Sequence, residues 1–330
     1  MRRRQFIAII GGATVAWPLA ARSQSSGQTP RVSLLLGLVE KDQETKSRVR
    51  AFQLGMRDLG WIEGRNVVID YRYAAGDPGQ IDRYVKELIA LTPNVIVGNS
   101  TPVLAALKKA TSSIPIVFAV VNDPVGQGFI SSLAHPGANI TGFTFIDFEI
   151  ISKWVSLLSD VVPNLHRVVL MFNPDTAPYY DSYLRSFKNM KQPALAGVET
   201  AYVRNVAEID LTIAKLGGEP GGALIAPADI FIVDQRDAII KAAIKYDVPM
   251  ISVYRTFAVD GGLISYGPDT SDIFRRSSSY VDRILKGESA ANLPAQSPTK
   301  YELVINLKTS KSLGLSVRES FIELADEVIE

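Results

Sequence analysis

Asn94-Val95-Ile96-Val97-Gly98-Asn99-Ser100-Thr101-Pro102 leads through Val103–Ala110 to Pro115-Ile116-Val117-Phe118-Ala119-Val120-Val121-Asn122-Asp123. Val95–Val97 and Ile116–Val121 are continuously apolar, the pattern of parallel strands buried on both faces. Between them, Thr101-Pro102 supplies a good N-cap followed by a residue suited to the first helical position. The stretch therefore predicts strand, helix over Pro102–Ala110, and strand. The same unit repeats outward in both directions. Strand-like runs recur at Arg31–Leu36, Asn66–Tyr73, Arg167–Asn173, Val198–Val203, Ala223–Ala226, Pro249–Val253 and Leu263–Tyr266. Helical spacing separates them, as in Val49, Phe52, Met56 and Leu59, or Ile81, Tyr84, Val85, Leu88 and Ile89. A regular βαβα alternation builds doubly wound parallel sheets, and there are enough units here for two.

The length of 330 residues agrees with two such lobes. Turn residues His135–Asn139 precede Ile140–Phe145, the first expected passage between lobes. Further passages are expected near Tyr266-Gly267-Pro268-Asp269 and along Ser289–Lys300, which carries Pro294 and Pro298. The expected division is residues 30–144 plus 268–294 for an N-terminal lobe, and 145–267 plus 295–330 for a C-terminal lobe.

Polar residues gather just beyond the strands: Asn99-Ser100-Thr101, Asn122-Asp123, Asn173-Pro174-Asp175, Asp229, and Gly267-Pro268-Asp269. Open α/β sheets bind ligands at the carboxyl ends of their strands, and two facing sheets would converge these groups on one cleft. The free N–H groups at the start of the 102–110 helix suit an anion such as a carboxylate. Plain alternatives stand beside each assignment. Thr101 and Asp229 are good helix caps without any ligand, and Asp123 before Pro124 is a common turn former.

Residues 1–23 read as an export signal. Met1-Arg2-Arg3-Arg4 is cationic, Phe6–Ala20 is apolar, and Ala21-Arg22-Ser23 places cleavage before Gln24. Arg3-Arg4-Gln5-Phe6-Ile7 also resembles a twin-arginine signal, so the Sec and twin-arginine routes both remain open. The sequence has no cysteine, so disulfides and a lipobox anchor are not expected. The expected location is free in a periplasm, without stable membrane insertion.

Charges balance to +1, with 35 basic and 34 acidic residues, and nothing points to a nucleic-acid partner. G-x-S-x-G, G-x-G-x-x-G and the P-loop are absent. The two histidines, His135 and His166, make no metal-ligand spacing. No enzyme activity, metal or cofactor is expected.

Several motifs resemble one family. They are Asn99–Ala110, Ser113–Phe118, Asn122-Asp123-Pro124-Val125-Gly126-Gln127-Gly128-Phe129, Pro136–Phe143, Gly261–Asp269 and Pro298–Lys308. In order, they are similar to the ABC transporter substrate-binding proteins that include tryptophan- and tyrosine-binding members. The resemblance spans nearly all of the chain after the signal. It implies a periplasmic binding protein type I fold of the leucine/isoleucine/valine-binding kind, with two Rossmann-like lobes joined by about three crossover strands. It implies a monomer that closes on a small solute and delivers it to the permease subunits of an importer. By that resemblance, Asn99, Ser100 and Thr101 hold a carboxylate and Asp229 an amino group. Asn122, Asp123 and Asn173 line the cleft, and Tyr254 and Tyr266 pack on the solute's apolar part. The chain departs from aromatic-amino-acid-binding relatives that are lipoproteins. A protein presenting its ligand to a membrane receptor would share all these features.

Overall fold

The structure, a computed structural model, describes residues 29–189, 198–218 and 220–330. The expected export signal, residues 1–23, lies outside the described residues.

The first sheet is built from β1 (Arg31–Leu36), β2 (Val68–Tyr73), β3 (Val95–Asn99), β4 (Ile116–Val121) and β5 (Ile140–Thr144). Their order is β2-β1-β3-β4-β5, with every neighbouring pair parallel. The connecting helices are α1 (Gln43–Asp58), α2 (Pro78–Ala90) and α3 (Thr101–Ala110). β3, β4 and β5 are buried throughout, as their continuous apolar runs require. The α2 and α3 face has its own core around Leu88, Leu104, Leu107 and Phe118. Ile140–Thr144 is therefore the last strand of this sheet, and the passage between lobes begins only after it.

Beyond Thr144 the chain enters α4 (Ile150–Val161) and a second sheet. Its elements are β6 (Arg167–Phe172), α5 (Tyr180–Lys188), β7 (Val198–Tyr202), α6 (Val206–Gly217), β8 (Gly222–Ala226), α7 (Ile230–Asp234), α8 (Arg236–Lys245), β9 (Met250–Ser252), α9 (Arg255–Val259) and β10 (Ile264–Pro268). The chain then returns as α10 (Thr270–Leu285), which packs along α1 against the first sheet. Gln296 lies beside β5, where its N–H donates to the Gly142 carbonyl at 2.9 Å. A third passage brings in β11 (Tyr301–Asn306), α11 (Leu307–Ser312), α12 (Glu319–Ile322) and β12 (Glu327–Ile329).

The second sheet is ordered β12-β11-β10-β9-β8-β6-β7 and departs from the parallel expectation at one pair. β11 runs antiparallel to β10, with Pro268 opposite Tyr301. The cause is topological. The chain leaves this sheet at the end of β10 and re-enters at that same end, where the Asp269 N–H donates to the Lys300 carbonyl at 3.1 Å. It can only run back.

The fold is thus α/β, with two Rossmann-like lobes connected by three passages of chain. One apolar core continues from lobe to lobe through Leu38, Val120, Phe145, Ile146, Ile230 and Tyr254. Among the described residues no helix is long and apolar enough to cross a membrane.

Candidate functional site

The carboxyl ends of β3, β4 and β8 converge where the sheets meet. They enclose a cavity with about 20 Å³ open to the centre of a water molecule. From the first lobe, Asn99, Ser100, Thr101, Val120, Asn122 and Arg48 line it; the second lobe contributes Thr176, Tyr179, Asp229, Ile230 and Tyr254.

Two strained backbone positions shape the near wall. Ser100 is the N-cap of α3 with φ 87° and ψ 155°, a region otherwise left to glycine. Val120 has φ 59° at a register shift between Ala119 and Val121, so a bulge turns the end of β4 into the cavity. Strain held in two cavity residues is a mark of a functional site. It also shifts the expected cap by one residue. Thr101 is already helical, and its Oγ1 accepts from the Asn122 N–H at 3.4 Å instead of capping.

Hydrogen bonding around this wall is incomplete. Asn99 donates Nδ2 to the Ala119 carbonyl at 3.0 Å. Its Oδ1, Asn122 Oδ1, Ser100 Oγ and Arg48 Nε are buried with no partner. A buried polar atom left unpaired costs about 1–3 kcal/mol. Four of them around one cavity are therefore groups set for a polar ligand.

Asp229 forms the far wall. It is buried at the start of α7, where its carboxylate accepts from the Phe231 N–H at 3.0 Å, the Asn173 N–H at 2.7 Å and Thr176 Oγ1. Burial pushes its pKa up to about 6, against the pull of those three donors. Tyr254 stacks on Phe145 with ring centres 5.3 Å apart, and Arg48 lies 5.6 Å from its ring centre. Burial raises both the Tyr254 and the Tyr179 phenols, keeping them neutral hydrogen-bonding groups.

Of the nine residues expected from sequence, Asn99, Ser100, Thr101, Asn122, Asp229 and Tyr254 meet at this cavity, and three do not. Asp123 turns away with φ 46°, accepting the Gly126 N–H at 2.9 Å in the turn after β4. Asn173 is buried behind Asp229, and its Oδ1 closes a turn with the Asp175 N–H at 2.9 Å. Tyr266 stacks on Tyr301 at 5.8 Å, inside the second lobe. Arg48, Thr176 and Tyr179 were missed. Arg48 had a signal: Glu44, Arg48, Phe52 and Met56 continue one stripe at four-residue spacing, and all four are buried.

A larger hollow of about 1120 Å³ opens beside the cavity and shares Leu38 and Val233 with it. Arg236 pairs there with Asp42 and Asp260, Lys245 with Asp210 and Arg255 with Glu327, while Lys41, Asp237 and Lys241 also line it. The small cavity gathers four of the buried unpartnered polar atoms, on Arg48, Asn99, Ser100 and Asn122. No metal-binding group of three or more His, Cys, Asp or Glu occurs among the described residues.

Residues 35–329 match the family described as ABC transporter substrate binding protein. The chain belongs to that family. Among curated relatives, a tyrosine-binding protein of Clostridioides difficile (strain R20291) is 26% identical over 283 residues, 84% of this chain and 79% of the relative. A Streptococcus pneumonia ABC domain solved in complex with L-Trp shares 23% identity. It covers 92% of this chain and all of its own, with a TM-score of 0.84. A ligand-free, open substrate binding protein from Clostridium difficile, at 20% identity and covering 91% and 99%, has a TM-score of 0.68. Families of this kind bind and deliver solutes and do not transform them.

Proposed function

We propose that this chain is the exported solute-binding component of an ABC importer and takes an amino-acid-like solute, aromatic ones included, between its lobes. The single observation that carries the reading is the ring of unpaired polar atoms around a cavity that both lobes wall. Asn99, Ser100 and Thr101 at the start of α3 would receive a carboxylate, and Asp229 an ammonium. Tyr254 and Tyr179 would supply aromatic walls against an apolar side chain. The tyrosine-binding relative and the L-Trp complex support this solute class.

The volume supports a moving clam. A cavity with about 20 Å³ open to water is far smaller than an amino acid, so the lobes must part to admit one. We place residues 30–144 with 269–296 in one moving body and 145–268 with 297–330 in the other, since Pro268 ends β10 and Gln296 lies beside β5. In this reading the protein works as a monomer in the periplasm and presents its closed form to permease subunits.

Mass spectrometry of what co-purifies with the protein, followed by a thermal-shift screen of amino acids, tests the reading. A ligand at 100 times its Kd adds about 2.7 kcal/mol and raises the melting temperature. A screen in which sugars stabilise the protein and amino acids do not would overturn the solute class.

A further inference from the structure

Arg48 is 2% exposed, yet it is poorly satisfied. A guanidinium carries five N–H donors in a planar fork. Its one ion-pair contact here is from NH2 to Glu44 Oε2, at 3.3 Å. Nε is buried without a partner on the cavity wall, and Tyr254 covers one face of the group. Glu44 is no ordinary counter-ion, because its oxygens are shared three ways. Thr270 Oγ1 donates to Oε2 at 3.0 Å from α10, which packs on the first sheet. Thr256 Oγ1 donates to Oε1 at 3.0 Å from α9, in the second lobe.

A buried cation needs an anion and good hydrogen-bond geometry to offset its lost hydration. One long contact to a shared carboxylate and a hydrogen bond to Tyr254 leave Nε of the fork unused. The start of α3, with the unpaired Ser100 Oγ, faces the same cavity and also favours negative charge. Asp229 stands on the opposite wall. The cavity is therefore polarised, with its cationic groups on the first lobe and its acid on the second.

We propose that Arg48 is the specificity-determining contact for an anionic group of the solute, with Glu44 a positioning residue. Because Thr256 reaches Glu44 only when the lobes are together, closure fixes the carboxylate that orients the guanidinium. Approach of the lobes and recognition of the anion are thereby coupled. This rests on the reading that the interlobe cavity is the solute site.

The test is calorimetry on the mature chain with L-tryptophan against tryptamine and L-tyrosine against tyramine, pairs that differ by the carboxylate. myo-Inositol and succinate serve as neutral and anionic non-amino-acid probes. The variants are Arg48→Lys, which leaves Glu44 a cation, Glu44→Gln with Arg48→Gln, which removes the pair together, and Thr256→Val. The wild type should prefer acid over amine by roughly 30-fold or more, the scale of a buried charge contact. Both Arg48 variants should lose most of that preference while amine binding stays within about threefold. Thr256→Val should weaken only the acids, by about 3- to 10-fold. A folded Arg48→Lys and double variant that keep the acid-to-amine ratio overturn the role of Arg48 and leave the amino-acid reading intact. Arg48-dependent binding of succinate alone supports Arg48 and removes the amino-acid reading. Binding of myo-inositol alone, or of none of the probes, overturns both.

Discussion

Gly37 and Ile230 meet across the lobes so closely that a Cβ on Gly37 would lie 2.2 Å from Ile230 Cδ1. The same Cβ would stand 2.7 Å from Ser100 Oγ, so the Ile230 and Ser100 side chains would both have to shift. Gly37 follows β1 and Ile230 opens α7, so this contact sets how near the lobes can come. Gly37→Val should act as a wedge, since overpacking a tight junction costs about 1–3 kcal/mol. Because Gly37 and Ile230 stand on different lobes, the cost should fall on closure. Affinity should drop by about 5- to 150-fold. Small-angle scattering at saturating ligand should give a larger radius of gyration than wild type. Adding Ile230→Ala should restore part of the closure, and a wedge variant that closes normally would remove Gly37 from this role.

Arg236 is the polar counterpart of that contact. From α8 it reaches Asp42 Oδ2 at 3.0 Å and Asp260 Oδ2 at 2.7 Å. Asp42 also caps α1 through the Glu44 N–H at 2.8 Å, which fixes its geometry. The side chains of Arg236 and Asp42 are each only 11% exposed, so salt screens this bridge less than a surface pair. Arg236→Met should weaken ligand binding by about 1.5–3 kcal/mol, the value of hydrogen bonds to charged groups. The loss should appear mainly as faster release in stopped-flow traces. An unchanged release rate would mean that the bridge contributes nothing to closure.

The fold was legible because β3 and β4 are apolar without interruption and the helices between strands carry a plain four-residue stripe. The site was legible at Asn99 and Asn122, polar residues at the ends of β3 and β4, and at Asp229 soon after β8, although Asn173 directly after β6 serves only to support Asp229. It was hidden where backbone geometry decides. A bulge at Val120 and a left-handed Ser100 redirect side chains without any signal in residue type. Asp123 and Tyr266 look as suitable as their neighbours, but local turn and ring contacts take them elsewhere. Arg48 was overlooked because charged residues on a helix are usually solvated, although its spacing from Phe52 and Met56 marked the buried face. The antiparallel β11 follows from where the chain re-enters the sheet, and a single strand's composition does not record that.

Tyr254 and Tyr266 separate two consequences of losing an aromatic side chain. Tyr254 lines the cavity and touches Phe145 and Arg48, while Tyr266 stacks on Tyr301. Tyr254→Ala should weaken binding of tryptophan or tyrosine more than that of alanine or serine. Tyr266→Ala should lower the melting temperature and leave affinity per folded molecule within about twofold, as for sites without shared partners. Calorimetry and thermal melts on both variants make the comparison. Equal loss of affinity in the two would place a ligand contact at Tyr266.

Asp229 ties stability and binding to pH with opposite signs. Burial raises its pKa from 3.8 to about 6 in the ligand-free fold. Between those values the folded protein holds a proton that the unfolded chain has released. Stability from this group is thus full below about pH 4 and declines as pH rises to about 6, at roughly 1.4 kcal/mol per unit. Binding runs the other way. An ammonium favours the ionised carboxylate, so affinity should rise with pH up to about 6 and then level. Below that point the limiting slope is about tenfold per unit, because one proton must leave. Calorimetric titrations from pH 5 to 8 should show this bend in the wild type. Asp229→Asn should remove it and cost about 2–5 kcal/mol of affinity at pH 7.5. The control is built into the geometry, since the carboxylate also caps α7 and holds the Asn173 N–H. A purely structural carboxylate would leave affinity flat across the range, and the substitution would then move only the melting temperature.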